Sequence, residues 1–252
     1  MKTVTIKSVF DLDSTDFIDT KQDSTSPFFK VDPKAHNGTD KAIIRFIVNV
    51  ENPSKSHIKK YVHWLTDAVS NKSFTLDCPS TVGDKSPLND AYWRLKKSTD
   101  ILEQREADKF RRKEVHYSLV QVIKYDTDKT KEGKIMIFKY GQKINAMIQA
   151  ELQPEYGVPH NPWSPDNSKL FLLNGTLLAG FNNYDNSKFV NEFSSVEFDG
   201  QMFAKTEASI EKFTAYLKTN APLLKEHEYQ EWSDEDKEKV AMIIQYNLTP
   251  LQ

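Results

Sequence analysis

The chain is 252 residues long, 38% hydrophobic and 28% charged, and its 34 Lys/Arg and 36 Asp/Glu leave a formal charge of −2. A chain of this length buries one sizeable core, or a core with a small attached lobe. Its single cysteine, Cys78, excludes an internal disulfide framework and fits a reducing compartment. No run approaches the about 18 apolar residues that span a bilayer. The opening MKTVTIKSVFDLD has no long apolar stretch before a cleavage site, so a soluble, intracellular protein is expected.

Residues 1–40 read as an arm or strand through Val4, Ile6, Val9 and Phe10, followed by a polar loop. Lys41 to Val50, KAIIRFIVNV, is apolar on both phases except at Arg45 and Asn49, which predicts a strand inside a sheet. Lys59 to Leu65 predicts a second strand. Its Lys59 and Lys60 either cap a core strand or add to a basic groove. Ser86-Pro87 starts a helix with a capping hydroxyl and a proline at the first helical position, and Leu88, Ala91, Tyr92 and Leu95 keep helical spacing. Ser98-Thr99-Asp100 caps a second helical piece through Ile101, Leu102 and Gln104.

The next stretch, Arg105 to Lys143, organises the chain. It holds eleven Lys/Arg against six Asp/Glu, a local excess of five positive charges in an otherwise mildly acidic protein. Such a stripe is the footprint of a polyanion-binding surface. Val115, Tyr117, Leu119 and Ile123 alternate with Glu114, His116, Ser118 and Val122, as in a strand with one buried face; Arg112, Glu114 and His116 fall opposite the core. Asp126 to Gly133 reads as a long hairpin tip, and Ile135 to Tyr140 as the return strand.

Beyond the hairpin, Lys143 to Leu152 predicts a helix ended by Pro154 and Pro159, and Trp163 plugs the core. Lys169 to Ala179 predicts a strand with Gly175 as a bulge or turn. Phe181 and Tyr184 sit in an Asn-rich turn beside Lys188, where they either stack on bases or tuck into the core. Glu207 to Leu217, capped by Thr206, predicts a helix carrying Ile210, Phe213 and Leu217. Ser233 to Asp236 caps a last helix with Val240, Ile243, Ile244 and Tyr246 inward. Between Lys225 and Glu238 stand seven acidic and two basic residues.

Enzyme signatures are absent. There is no phosphate-cradling glycine loop, nucleophile elbow or zinc-protease motif, and the six histidines are scattered. The carboxylate pairs Asp11/Asp13 and Asp126/Asp128 lack a third carboxylate nearby and read as solvated loops rather than as a nuclease metal site.

Several pieces together resemble one family. They are Arg111-Arg112-Lys113, the strand through Val122-Ile123-Lys124, Glu132-Gly133-Lys134, the run Phe138 to Lys143, Ile144 to Ile148, and Ala179 to Phe189. In this order, from about residue 40 to 195, the chain resembles the helix-destabilising single-stranded DNA-binding proteins of T-even-type bacteriophages. The resemblance implies an α+β fold: an OB-like bent antiparallel β-barrel with an inserted helical small lobe at about residues 60–105 and C-terminal helices. It divides the chain into an arm at 1–40, a DNA-binding core at 41–200 and an acidic helical segment at 201–252.

It also implies a site. Arg111, Arg112, Lys113, Lys139, Lys143 and Lys188 would neutralise phosphates, and Phe138, Tyr140, Phe181 and Tyr184 would offer faces to bases. His116 and Phe138 stand where the family has tyrosines. Phe138 and Tyr140 share a strand face that Lys139 does not, so the three cannot all point squarely into one groove. The family's basic N-terminal arm, which gives cooperative binding, is reduced here to Lys2 and Lys7 beside four aspartates.

The family holds a structural zinc with one histidine and three cysteines. His63 and Cys78 match two of those ligands, but Ser86 and Asn89 replace the others. Such a site needs four N/S ligands, so no cofactor is expected and buried side chains such as Trp64, Phe74, Leu76, Leu88, Tyr92, Trp93 and Leu95 are expected to hold the lobe. His63 is then a hydrogen-bonded core histidine and Cys78 a small buried residue. The expected function is non-catalytic binding of single-stranded DNA during replication, recombination and repair in the cytoplasm of the infected host. Single-stranded RNA and replication or recombination proteins are further candidate partners, and a membrane is not. The rival from another class is a phage protein-interaction module that docks the basic hairpin on an acidic partner.

Overall fold

The computed structural model describes residues 26–67 and 70–248. The arm expected through Val4 to Phe10 and the Asp11/Asp13 pair lie outside them. The strands are β1 (Phe28–Phe29), β2 (Thr39–Ile47), β3 (Ile58–Thr66), β4 (Ser73–Asp77), β5 (Arg112–Lys124), β6 (Ile135–Tyr140), β7 (Ser168–Leu178), β8 (Phe181–Asn183), β9 (Lys188–Ser194), β10 (Glu197–Phe198) and β11 (Gln201–Met202). The α-helices are α1 (Pro87–Lys96), α2 (Ile101–Glu106), α3 (Gln142–Leu152), α4 (Glu207–Asn220) and α5 (Asp234–Leu248). No described helix is long and apolar enough to cross a membrane.

Among the described residues, nine strands join in one sheet whose main path runs β1-β6-β5-β2-β7-β8. Strand β5 is its spine. On one edge its first half pairs with β3, from His63↔Arg112 to Ile58↔Tyr117. Its second half pairs with β2, from Ile47↔Leu119 to Ile43↔Lys124. The other edge carries β6, from His116↔Tyr140 to Gln121↔Ile135, and completes the expected hairpin. A register shift at Ile43/Ile44 bends β2 across the spine. The path does not close: β1 and β8 are its two ends, so the fold is α+β on an open, branched sheet rather than a closed barrel.

Both faces of this sheet are covered. One packs Phe46, Val120, Val122, Phe138, Tyr140, Phe171 and Trp163 against Ile144 and Ile148 of α3. The other packs Val62, Val115, Tyr117, Leu119 and Ile137 against Phe198, Phe203 and the Phe213/Leu217 stripe of α4. This corrects the one-faced reading of β5. Val115 to Val122 are buried without interruption, including His116 and Ser118, while Ile123 emerges at the strand end. A strand covered on both faces shows no polar face, whatever its alternation.

A third cluster builds the small lobe from Leu65, Leu88, Ala91, Leu95, Ala107 and Phe110, with Trp232, Val240 and Ile243 arriving from the C-terminal segment. Leu88 and Leu95 are buried as expected, and Phe74, Leu76 and Tyr92 pack at its edge. Trp64 and Trp93 are exposed instead, because α5 and Trp232 fill the lobe before these rings reach it. Tyr246 also points outward. The caps fall where the sequence places them, with Ser86 on α1, Asp100 on α2 and Thr206 on α4.

Gly175 is neither bulge nor turn. It lies within β7 opposite Asp40 of β2. A Cβ there would stand 2.8 Å from Val31 Cγ2 and 2.9 Å from Pro33 Cγ. The missing side chain lets the segment before β2 lie flat on the sheet. Gly175→Ala is therefore expected to destabilise the protein by about 1–3 kcal/mol through overpacking, seen as a lower urea midpoint at unchanged slope.

Candidate nucleic-acid interface

The basic triad is set by its flanks. Residues 107–110 form a 3-10 turn whose Ala107 and Phe110 are fully buried in the lobe. His63, itself fully buried, donates its Nδ1–H to the carbonyl of Phe110 at 2.9 Å. The chain leaves that anchor directly into Arg111, Arg112 and Lys113, all exposed. Strand alternation then sends Arg112 and Lys113 to opposite faces. The Arg112 guanidinium lies 4.1 Å from the ring centre of Tyr61, with Lys59 Nζ at 5.3 Å from the same ring. Lys113 Nζ lies 4.8 Å from the ring of Trp64, which is 56% exposed.

The same alternation separates the two lysines of β3. Lys59 faces solvent beside Tyr61 and pairs with Glu114 at 2.9 Å. Lys60 turns under the sheet, buried, and pairs with Asp77 at 2.9 Å. Tyr61 was not anticipated as a site residue. Its signal was available, since a period of two from Lys59 puts the ring on the face opposite Lys60.

The remaining expected residues divide. Phe138, Tyr140 and His116 are brought together, but inside the core, in a run of near-parallel rings. Phe138 and Tyr140 are 5.2 Å apart, Tyr140 and His116 5.4 Å, His116 and His57 4.9 Å, and His57 and Trp163 5.8 Å. Tyr140 OH meets Ser118 Oγ at 3.0 Å, and burial raises the phenol's pKa. In this arrangement the faces of these rings are already occupied by one another. Lys139 lies on the other side of β6, 5.7 Å from the ring of Tyr117, as strand geometry required. Burial and the neighbouring Lys60 lower its pKa.

Lys143, at the start of α3, forms an ion pair with Asp185 in the turn between β8 and β9. Tyr184 beside it is half-buried against the core, whereas Phe181 is 78% exposed on the tip of the β7–β8 hairpin. Lys188 is exposed at the start of β9. The two aromatics of the Asn-rich turn thus take one fate each, Tyr184 inward and Phe181 outward.

Glu114, His116 and His57 form a proton-ordered chain. His116 Nε2 lies 2.9 Å from Glu114 Oε1, and the carboxylate accepts, so Nε2 carries the proton. His116 Nδ1 is then a lone pair, and it receives the Nε2–H of His57 at 2.7 Å. Both rings are neutral. Burial, the neighbouring ring and Lys59 push His57 down to about 4, and burial lowers His116 despite Glu114.

The four positions where the family holds zinc also converge. Asn89 Nδ2 lies 3.6 Å from the buried Cys78 Sγ, and Ser80 Oγ is 3.1 Å from the same sulfur. Ser86 Oγ accepts the backbone N–H of Asn89 as the cap of α1. Only His63 Nε2 is left buried without a hydrogen-bond partner. Two N/S donors, a capping hydroxyl and an amide directed at the sulfur do not fit a closed tetrahedral zinc site.

The pH dependence of stability follows from the two rings. A histidine held neutral has a folded pKa below its unfolded value near 6.5. Its contribution is complete above pH 6.5 and is lost as pH falls toward 4. Stability is expected to drop by about 2 kcal/mol across that window, after discounting for the ring's partial exposure. His57→Gln is expected to flatten the drop in urea melts at pH 7 and pH 4.5.

Residues 37–230 match the family described as gp32 DNA binding protein like. The single-stranded DNA-binding proteins of Enterobacteria phage T2 and Enterobacteria phage T4 are each 28% identical to the chain over 176 residues, which is 67% of this chain and 56% of each relative. The matched region thus spans little more than half the length of those relatives. With the family match covering most of the sequence, the chain belongs to the gp32-like DNA-binding proteins.

Proposed function

We propose that the chain binds single-stranded DNA, without catalysis and with little sequence preference, in phage DNA replication, recombination and repair inside the infected cell. The observation that carries this reading is the Arg111–Lys113 triad, where exposed cations stand directly beside the accessible rings of Tyr61 and Trp64. Phosphate neutralisation next to aromatic faces is the general recipe for single-strand binding, each stacked base contributing roughly 1–3 kcal/mol. The family and the two phage relatives support the same reading. In this proposal Tyr61, Trp64 and Phe181 present faces to bases. Phe138, Tyr140 and His116 form a rigid floor beneath them, and Lys143 and Lys188 extend the positive track.

The sheet supports an OB-like architecture left open at one side. A single long strand is shared by two neighbours on one edge, and a bulge turns one of them away. The nuclease alternative finds no support at Asp126 and Asp128. Asp126 pairs with Lys124, and Asp128 accepts from Thr130 and pairs with Lys131. The lobe is held without metal: its hydrophobic cluster, at roughly 1.5–3 kcal/mol for each large buried side chain, takes over from coordination. Stoichiometric zinc in protein purified without added metal would overturn this part.

The deciding experiment is a titration with fluorescently labelled oligo-dT at several salt concentrations, beside duplex of equal length. Saturable binding that weakens steeply with salt and strongly favours the single strand is expected. Changing Arg111, Arg112 and Lys113 together to alanine should weaken binding and reduce the salt slope by about 2, at about 0.7 for each lost phosphate contact. Oligo-rU in parallel reports whether RNA shares the site. If wild-type protein ignores oligo-dT at low salt, the reading falls and docking on an acidic protein partner replaces it.

A further inference from the structure

Phe181 stands at the far end of the sheet from β1, at the edge made by β7 and β8, and is among the most exposed large apolar side chains described. It sits on a tight two-residue hairpin in which Leu178 pairs with Phe181 while Ala179 and Gly180 take φ of 50° and 82°. Both central residues in the left-handed region make a short connection of fixed direction. The ring is therefore held out from the sheet by geometry.

Beside it lies an open pocket of about 410 Å³ that Phe181 shares with Lys30, Lys34, Asp32 and Asn182. The segment carrying the two lysines is tightly placed. Phe29 and Val31 are buried in the main core, and Val31 and Pro33 lie on Gly175, where no side chain stands in the way. Asp32 N–H donates to the buried carboxylate of Asp40 at 2.7 Å, and Tyr125 and Thr127 donate to the same carboxylate at 2.8 and 2.9 Å. These bonds outweigh burial and keep Asp40 ionised, with its pKa below the usual carboxylate value. The one acid in the pocket, Asp32, is committed to the turn: its Oδ1 accepts from the backbone of Lys34 and Ala35. Lys30 and Lys34 are left exposed on a clamped backbone.

We infer that Lys30, Lys34 and Phe181 form a second contact for the single strand, with one base on the Phe181 face and the adjoining phosphates on the two lysines. The inference rests on the proposed DNA-binding function and adds a subsite on the segment preceding β2, outside the basic hairpin. Two lysines flanking an isolated aromatic on a rigid edge supply both halves of single-strand recognition.

The test uses the full chain and labelled oligo-dT, read by anisotropy across a salt series. Lys30→Ala with Lys34→Ala should reduce the salt slope by about 1.4 and weaken binding, while the doubly Arg-substituted protein keeps the slope. Phe181→Ala should weaken binding about five- to hundredfold at unchanged slope, and Phe181→Tyr should restore it. An iodouracil-containing oligomer should photocrosslink to the peptide bearing Phe181. All these side chains are exposed, so thermal melts of the variants should match wild type. If wild type binds but the double lysine variant keeps the full slope and Phe181→Ala binds normally, the subsite does not exist and the triad site stands alone. If wild type fails to bind, the functional reading fails first and takes the subsite with it.

Discussion

Strand β5 is the constraint on which the rest depends. Eight successive residues, from Val115 to Val122, are buried between two hydrophobic layers. Every polar group in that run has to find a partner inside the protein, because an unpaired buried group costs about 1–3 kcal/mol. His116 is held by Glu114 and His57, Ser118 meets the Tyr140 hydroxyl, and the Gln121 amide donates to the carbonyl of Glu197. Those partners in turn fix β6, the segment at His57 and the loop after β9. The strand can show charge to solvent only at its ends, which is where Arg111 to Lys113 and Lys124 stand.

The small lobe illustrates how one position serves two purposes. His63 is a core residue by burial, yet its hydrogen bond to the Phe110 carbonyl holds the turn that launches the basic triad. The lobe is closed from a distance by Trp232, Val240 and Ile243, which belong to the end of the described chain. Asp77 ties that closure to the sheet, accepting from Lys60, the Gln230 backbone and the Trp232 indole. Residues that look remote in sequence therefore control the placement of the cationic surface.

Charge is sorted by strand parity rather than by sequence proximity. Arg112 and Lys113 are neighbours in the chain but sit over different rings on different faces. Lys59 and Lys60 diverge in the same way, one exposed and one buried with Asp77. Lys139 drops beneath the sheet to Tyr117, with His227 stacked 5.1 Å from that same ring. A count of local positive charge measures a stretch of chain, whereas a phosphate meets only the lysines and arginines that share a surface with it.

From the order of residues alone came the hairpin, its tip, the interior position of β2, the helix caps and the exposed basic triad. All of these depend on short-range geometry: alternation, turn chemistry and the hydrogen bonds of a cap. The parity conflict among Phe138, Lys139 and Tyr140 was legible for the same reason. The second layer over β5 was not, because a strand reads alike whether one face or both are covered until the elements that cover it are known. Those elements, Phe198 to Leu217 and the segment around His227, lie some eighty to a hundred residues downstream. The fates of Trp64 and Tyr246, exposed, and of Phe138, Tyr140 and His116, enclosed, were likewise decided only in the folded state. Whether a large ring is buried depends on what else competes for the same volume, and that competition exists only once the chain has packed.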